Sequence, residues 1–183
     1  MGVSASARVI AVHRDAQHRF SKTRCEAITA LPGLGVEGDA HSGKTVQHRS
    51  RVAVDPAQPN LRQVHLIHTE LFEELASHGF AVKPGDLGEN ITTSGIDLLG
   101  LGRGTRLAIG TSVILEVTGL RNPCGQIEAF AHGLLKHVAV KTHQGIVRKS
   151  GIMTIVLAGG VVRAGDAVAV TPPDGPHVAL ERV

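Results

Sequence analysis

Gly110-Thr111-Ser112-Val113-Ile114-Leu115-Glu116-Val117-Thr118 opens with a turn and then places Val113, Leu115 and Val117 on alternate positions. A period of two puts one face of a β-strand against a core and the other toward solvent. Gly165-Asp166 leading into Val168 and Val170 repeats the theme. Further runs rich in β-branched residues, punctuated by Gly and Pro, predict strands over residues 7–14, 63–68, 105–109, 112–118, 151–158 and 167–171. Only two helices are expected. One runs from Thr69 to about His78, with Glu70, Glu73 and Glu74 toward its N-terminal side and Gly79 as its stop. The other follows Cys124, where Ile127, Phe130, Ala131, Leu134, Leu135 and Val138 recur at helical spacing. Strands dominate and helices do not alternate with them, which argues against a doubly wound parallel sheet. The expectation is a sheet that closes on itself, a mainly β barrel with a few inserted helices. Residues 32–60 and 83–103 read as long loops, and loops of that length in a compact domain are commonly functional.

The chain has 183 residues, enough for one domain with a substantial core, expected over about residues 8–171. With aromatics at 2% and four Phe the only large rings, that core must be built from Val, Ile, Leu and Ala. Net charge is +3, with the cations dispersed, which favours a local anion site over the basic face and stacking rings of a nucleic-acid binder. Two cysteines make no disulfide framework, so a reducing cytoplasm is the expected location. The first apolar stretch, residues 9–12, is too short for a signal peptide, and no run approaches membrane-spanning length. Met1-Gly2-Val3-Ser4-Ala5-Ser6 fits the permissive N-myristoylation pattern.

Cys124, in Arg121-Asn122-Pro123-Cys124, is the first candidate for chemistry. A thiolate is both a nucleophile and a soft metal ligand, favoured by a neighbouring cation such as Arg121 and by the start of a helix. The competing reading is a small buried hydrophobe. Cys25, in a polar stretch entering a strand, reads as structural or incidental. Gly38-Asp39-Ala40-His41-Ser42-Gly43-Lys44-Thr45 satisfies the P-loop pattern letter for letter and suggests a nucleotide kinase. Its context opposes this, because turn residues precede it and no helical stripe follows. His41, His48, His65 and His68, with Glu70 nearby, raise zinc binding, but the spacing is not that of a known ligand pair.

Gly38-Asp39-Ala40-His41, then Gly85-Asp86-Leu87-Gly88-Glu89-Asn90-Ile91, then Gly119-Leu120-Arg121-Asn122-Pro123-Cys124, the strand of residues 151–160 and the Gly165-Asp166 turn together resemble the MOSC domain. This is the C-terminal domain of molybdenum-cofactor sulfurases and also occurs as stand-alone bacterial proteins. The resemblance implies a β-barrel that binds molybdenum-pterin cofactor, with a cysteine that carries sulfur or ligates molybdenum; that role would fall to Cys124. Such a cofactor has a phosphate and a polar bicyclic pterin. Lys44, Arg49, Arg51 and Arg121 are candidates for the phosphate, and Glu89 and Asn90 for the pterin edge. Asn122, Asp39 and His41, within the same motifs, complete the candidate cofactor-binding set. Each has a plainer alternative: Glu89 and Asn90 tie down a glycine-rich turn, Arg49 and Arg51 are solvated, and Asp39 caps the His41 turn.

The resemblance leaves three functions open. Cys124 is a sulfur relay through a persulfide, or a molybdenum ligand in a small reductase of N-hydroxylated compounds, or part of a non-enzymatic cofactor carrier. Nothing N-terminal resembles a pyridoxal-phosphate desulfurase, and the cysteines of an iron–sulfur domain are absent. The sulfur donor, a cysteine desulfurase, or the electron donor is therefore expected to be a separate protein.

Overall fold

A computed structural model describes residues 6–183, so the N-myristoylation pattern, whose acceptor is Gly2, lies outside the described residues. The elements in chain order are β1 (Arg8–Arg14), β2 (Thr23–Cys25), β3 (Ala27–Leu31), β4 (Gly35–Val36), α1 (Arg49–Val52), β5 (Val64–His68), α2 (Thr69–Ser77), β6 (Ile91–Ser94), β7 (Arg106–Ile109), β8 (Val113–Leu120), α3 (Gly125–Phe130), α4 (Leu135–Val138), β9 (Ala139–Thr142), β10 (Gly145–Arg148), β11 (Ile152–Ala158), β12 (Gly160–Arg163) and β13 (Val168–Thr171). The alternation in β8 is realised residue by residue, with Val113, Leu115 and Val117 buried and the intervening side chains half-buried. No helix among the described residues is long and apolar enough to cross a membrane.

The expected barrel is not formed. The main sheet has eight strands in the order β13-β7-β8-β11-β5-β6-β1-β2 and remains open, with β13 and β2 at its ends. The reason lies in β1. Its C-terminal half, Val12 to Arg14, pairs with β2, so only its first residues are available to the opposite end of the sheet. There one antiparallel bridge, Arg8 to Ala167, is made just before β13, with Val9 N–H donating to Asp166 O and Val168 N–H to Ala7 O beside it, and the ladder of β13 is with β7. A second sheet of three strands, β12-β3-β4, and a separate ribbon, β10-β9, complete the β structure. All strand pairs are antiparallel except β5 with β6.

The principal core joins the large sheet to the three-stranded one through Val9, Leu66, Leu115, Ile152 and Val162. A smaller cluster lies under the helices, around Ile67, Leu71, Leu87, Ile127 and Leu134. The single helix expected after Cys124 is instead two short ones. Ala131 adopts an extended conformation, Gly133 has φ +84°, and the Glu128 carboxylate accepts the backbone N–H groups of Gly133 at 2.8 Å and Leu135 at 3.3 Å. Ile127, Leu134 and Val138 still face the core across this break, which is why their spacing imitates one continuous helix.

His13 on β1 is fully buried, and neither ring nitrogen has a hydrogen-bond partner. Burial, reinforced by the Arg24 and Lys22 charges, lowers its pKa from 6.5 to about 4. A lowered histidine is neutral in the fold and more readily protonated when unfolded. Its contribution is therefore complete above pH 6.5 and is lost as pH falls through 4. Linkage puts the loss at about 2 kcal/mol by about pH 5. Urea unfolding followed from neutral pH to about pH 5 should show at least this decline. His13→Leu should make it shallower by about that amount, with the other buried histidines supplying the remainder, and an equally steep decline in that variant would place the acid sensitivity elsewhere.

Candidate active-site pocket

Asp39 organises the floor of the site. The turn after β4 buries it, and its carboxylate accepts Lys22 Nζ at 2.9 and 2.7 Å, the His41 N–H at 3.0 Å, the Asp15 N–H at 3.2 Å and Asn90 Nδ2 at 3.1 Å. His41 Nδ1 lies 3.3 Å away. Burial alone would raise the pKa of Asp39, but the hydrogen bond from His41 and the charge and hydrogen bond of Lys22 outweigh it and hold the carboxyl well below the usual range. Asn90 links this node to the main sheet. Its Nδ2 also donates to His13 O at 3.2 Å, and its Oδ1 accepts the His65 N–H at 3.1 Å.

Above this floor is a pocket of about 420 Å³, within the range of small-ligand sites. It lies between the β1–β2 connection, the loop carrying α1, the start of β5 and the turn after β8. Its charge is one-sided. Arg19, Lys22, Arg49, Arg51, Arg62 and Arg121 line it with no carboxylate in the wall; Arg19 is paired with Asp15 at 3.1 Å, whereas Arg49, Arg51, Arg62 and Arg121 join no ion pair among the described residues. Arg62 Nε and Arg121 Nη1 are buried without a partner. Burial lowers Arg121, opposed by attraction to Cys124 and Glu89, and its guanidinium carbon sits 5.7 Å from the centre of the Phe20 ring. Burial and repulsion from Arg51 and Arg121 lower Arg62 to about 10, so it remains charged at neutral pH. Burial keeps three of the pocket imidazoles, those of His41, His48 and His65, neutral. His48, stacked on His41 with centroids 4.3 Å apart, is lowered to about 2 by burial and the neighbouring His41 and Arg62. Buried His65, also lowered by burial, has Nε2 2.8 Å from Ser150 O. Unpaired buried guanidinium donors are costly unless an acceptor arrives, so this wall suits an anion.

Cys124 forms part of the same wall and is half-buried. It is the N-cap of α3, its carbonyl accepting the Ile127 N–H at 3.0 Å, and Sγ lies 3.6 Å from Gln126 Oε1. The turn that presents it is held from both sides. Arg121 N–H donates to Gly151 O at 3.0 Å, and Asn122 Oδ1 accepts Arg148 Nε at 3.1 Å.

Arg121, Asn122, Asn90, His41, Arg49 and Arg51 are thus gathered with Cys124, and Asp39 lies beneath them. Two further candidates also fall outside the wall. Glu89 is fully buried, its Oε1 accepting Gly85 N–H at 2.6 Å and Thr92 Oγ1 at 2.9 Å, and burial pushes its carboxyl up despite those bonds. It holds the turn at Gly85, where φ is +90° and a Cβ would stand 2.7 Å from Lys22 O. Lys44 is exposed and does not line the pocket. Lys22 and Arg62, which sequence reasoning did not single out, are central to it. Neither has a local signal: Lys22 sits in a polar stretch, and Arg62 lies two residues before β5, outside the strand.

The P-loop reading fails on context. Residues 38–45 lie after the two-residue β4, and the next helix is the four-residue α1. The N–H groups that would cradle phosphate are already used within the protein, Ala40 to Asp15 O, His41 to Asp39 Oδ1, Ser42 to Asp39 O and Gly43 to Leu34 O. The zinc reading gains no support either. The His41 and His48 rings pack against each other at a tilt of 30°, His68 lies apart at the start of α2, and no group of three or more His, Cys, Asp or Glu among the described residues is arranged to hold a metal.

Fold and site together define a class: a thiol on the wall of a cation-lined pocket, carried by a mainly β frame. The chain belongs to the MOSC domain family, whose model matches residues 53–169. No curated protein matches it in sequence. Among solved structures it is similar to the YuaD protein from Bacillus subtilis, at 24% identity and TM-score 0.77 over 92% of this chain and 97% of that one. It is also similar to YiiM from Escherichia coli, at 18% identity and TM-score 0.62 over 93% and 73% of the two chains. YiiM from Geobacillus stearothermophilus matches at 17% identity and TM-score 0.61, over 95% and 77%. At these identities the likeness is one of fold.

Proposed function

We propose that the pocket binds molybdenum-pterin cofactor and that Cys124 relays sulfur to it as a persulfide. The observation that carries this reading is a half-buried thiol on the wall of a pocket in which Arg49, Arg51, Arg62 and Arg121 have no carboxylate partners among the described residues. Arg62 and Arg121 offer buried, unused donors for the cofactor's phosphate, with Arg49 and Arg51 beside them. For the pterin edge the available groups are the Asn122 amide N–H₂, since Oδ1 is taken by Arg148, and the Gln126 amide. Asn90 is less suited, because both Nδ2 hydrogens and one Oδ1 lone pair already serve the protein. When bound, the cofactor supplies the molybdenum centre that receives sulfur. The chain's own step precedes that. The Cys124 thiolate attacks the outer sulfur of a donor persulfide, the donor's S–S bond breaks, and the donor cysteine leaves as a thiolate, with no net change of oxidation state. Partial exposure of the thiol favours relay over permanent ligation, because a separate cysteine desulfurase has to reach it.

The test is to purify the protein from molybdenum-replete cells and measure bound molybdenum, pterin and Cys124 persulfide. Arg62→Met and Arg121→Met should each weaken cofactor binding by about tenfold or more, the value of a charge-assisted hydrogen bond. Lys44→Ala should have little effect, and ATP with magnesium should not raise the melting temperature. Stabilisation by ATP that disappears in Lys44→Ala would overturn the reading. Molybdenum retained through Cys124 with no persulfide formed would make the thiol a ligand, as in a small reductase served by an electron donor.

A further inference from the structure

We propose that the β9–β10 ribbon is the docking surface for the protein that delivers sulfur to Cys124, and that this donor presents an apolar patch rimmed by acidic residues. The proposal rests on the relay reading above. The ribbon belongs to neither sheet, and no residue of either strand is buried. Two strands alone are marginal in water, and the outer edge of β10 leaves backbone N–H and C=O groups open to pairing. Residues 141–147 are all exposed, including Ile146 at 48% and Val147 at 46%.

Charge states the chemistry of the partner. From residue 129 to residue 165 the chain has no Asp or Glu, while it carries Lys136, Lys141, Arg148, Lys149 and Arg163. Lys149 is paired with Glu74 at 2.6 Å, but Lys136, Lys141 and Arg148 have no carboxylate partner among the described residues. Lys141 stands opposite Ile146 in the ribbon, so a cation and an apolar side chain share one face. An acidic surface with an apolar centre is the complement, and such pairing mainly speeds encounter and selects the partner.

Position joins this surface to the thiol. At the root of the ribbon, Arg148 Nε donates to Asn122 Oδ1 at 3.1 Å and Lys149 N–H to Val138 O at 2.8 Å, and Ser150 Oγ donates to Arg121 O at 3.3 Å. The ribbon therefore grows from the turn that presents Cys124. A donor seated on it can bring a persulfide to Sγ for the balanced exchange already described: Cys124 takes the outer sulfur and the donor's cysteine leaves as a thiolate.

The experiment compares two donors on the full-length protein, a cysteine desulfurase carrying its persulfide and glutathione persulfide, with Cys124 persulfide read by mass spectrometry. Lys141→Glu and Ile146→Asp should each slow loading from the desulfurase by about tenfold or more, and added salt should slow the wild type. Both variants should load from glutathione persulfide at the wild-type rate, and Arg103→Glu, an exposed cation outside this surface, should change neither. Desulfurase transfer unchanged in the variants overturns the docking surface, as does loading of the wild type by glutathione persulfide but not by the desulfurase. So does binding to phosphatidylserine–phosphatidylcholine vesicles that the same two variants abolish, which would make the ribbon a membrane contact. Failure of wild-type Cys124 to load from either donor overturns the relay reading, and the docking surface with it.

Discussion

Cys124→Ser is expected to abolish persulfide formation completely while leaving the unfolding midpoint within about a degree of the wild type. The hydroxyl is close in size to the thiol, and the only partner of Sγ among the described residues is Gln126 Oε1 at 3.6 Å, a bond from a weak thiol donor. A serine oxygen is neither a thiolate nucleophile nor a soft metal ligand, so sulfur acceptance and any molybdenum held through this side chain are lost together. Cys25→Ser should change neither. That thiol lies on the edge strand β2, with Sγ 3.5 Å from Thr23 O, and has no part in the pocket. Full persulfide and metal content in Cys124→Ser would refute the assignment of this residue.

The largest expected loss of stability is at Asp39. Asp39→Ala removes the acceptor of Lys22, Asn90 and two backbone N–H groups and leaves the Lys22 ammonium enclosed without a counter-charge. Breaking a buried ion pair on one side costs about 3–5 kcal/mol, or roughly 10 °C in melting temperature for a domain of this size. Replacing Lys22 with Met in the same protein should recover much of it, because the stranded charge is then gone. A double variant no more stable than Asp39→Ala would mean that the backbone hydrogen bonds, not the charge, dominate. The acid dependence differs from that of His13. The Asp39 pKa is depressed from 3.8, so its contribution is fully present at neutral pH and is lost only in strong acid, as pH falls from that value toward its folded one. Loss of stability near about pH 5 therefore reports the buried histidines and not this ion pair.

Local sequence carried much of the frame. β1, β5, β8, β11 and β13 each coincide with a predicted run to within two residues at either end, because alternating β-branched side chains between glycine turns have few other ways to bury one face. The helix from Thr69 stops where Gly79 adopts φ +87°. β2, β3 and β4 were not legible, since three-, five- and two-residue strands in a stretch of mixed polarity have too little alternation to be read. The same limit hid β9 and β10, whose pattern was absorbed into the helical spacing that precedes them or had no buried face to show.

The sequence by itself determined the β-rich class, the helix after β5, the thiol in the Arg121–Cys124 turn and the motifs of the family, because each depends on residues close together in the chain. Only the tertiary structure decided that the sheet stays open, since that outcome depends on β2 and the residues before β13 sharing one edge of β1. It also decided which cations serve the pocket. Lys22, Arg62 and Arg121 are joined there by strand pairing and by Asn90, which bonds Asp39, His13 and His65 across the sheet, while Lys44, a member of the conspicuous local motif, is left in solvent. Convergence of this kind is set by which strands neighbour one another, and that information is non-local.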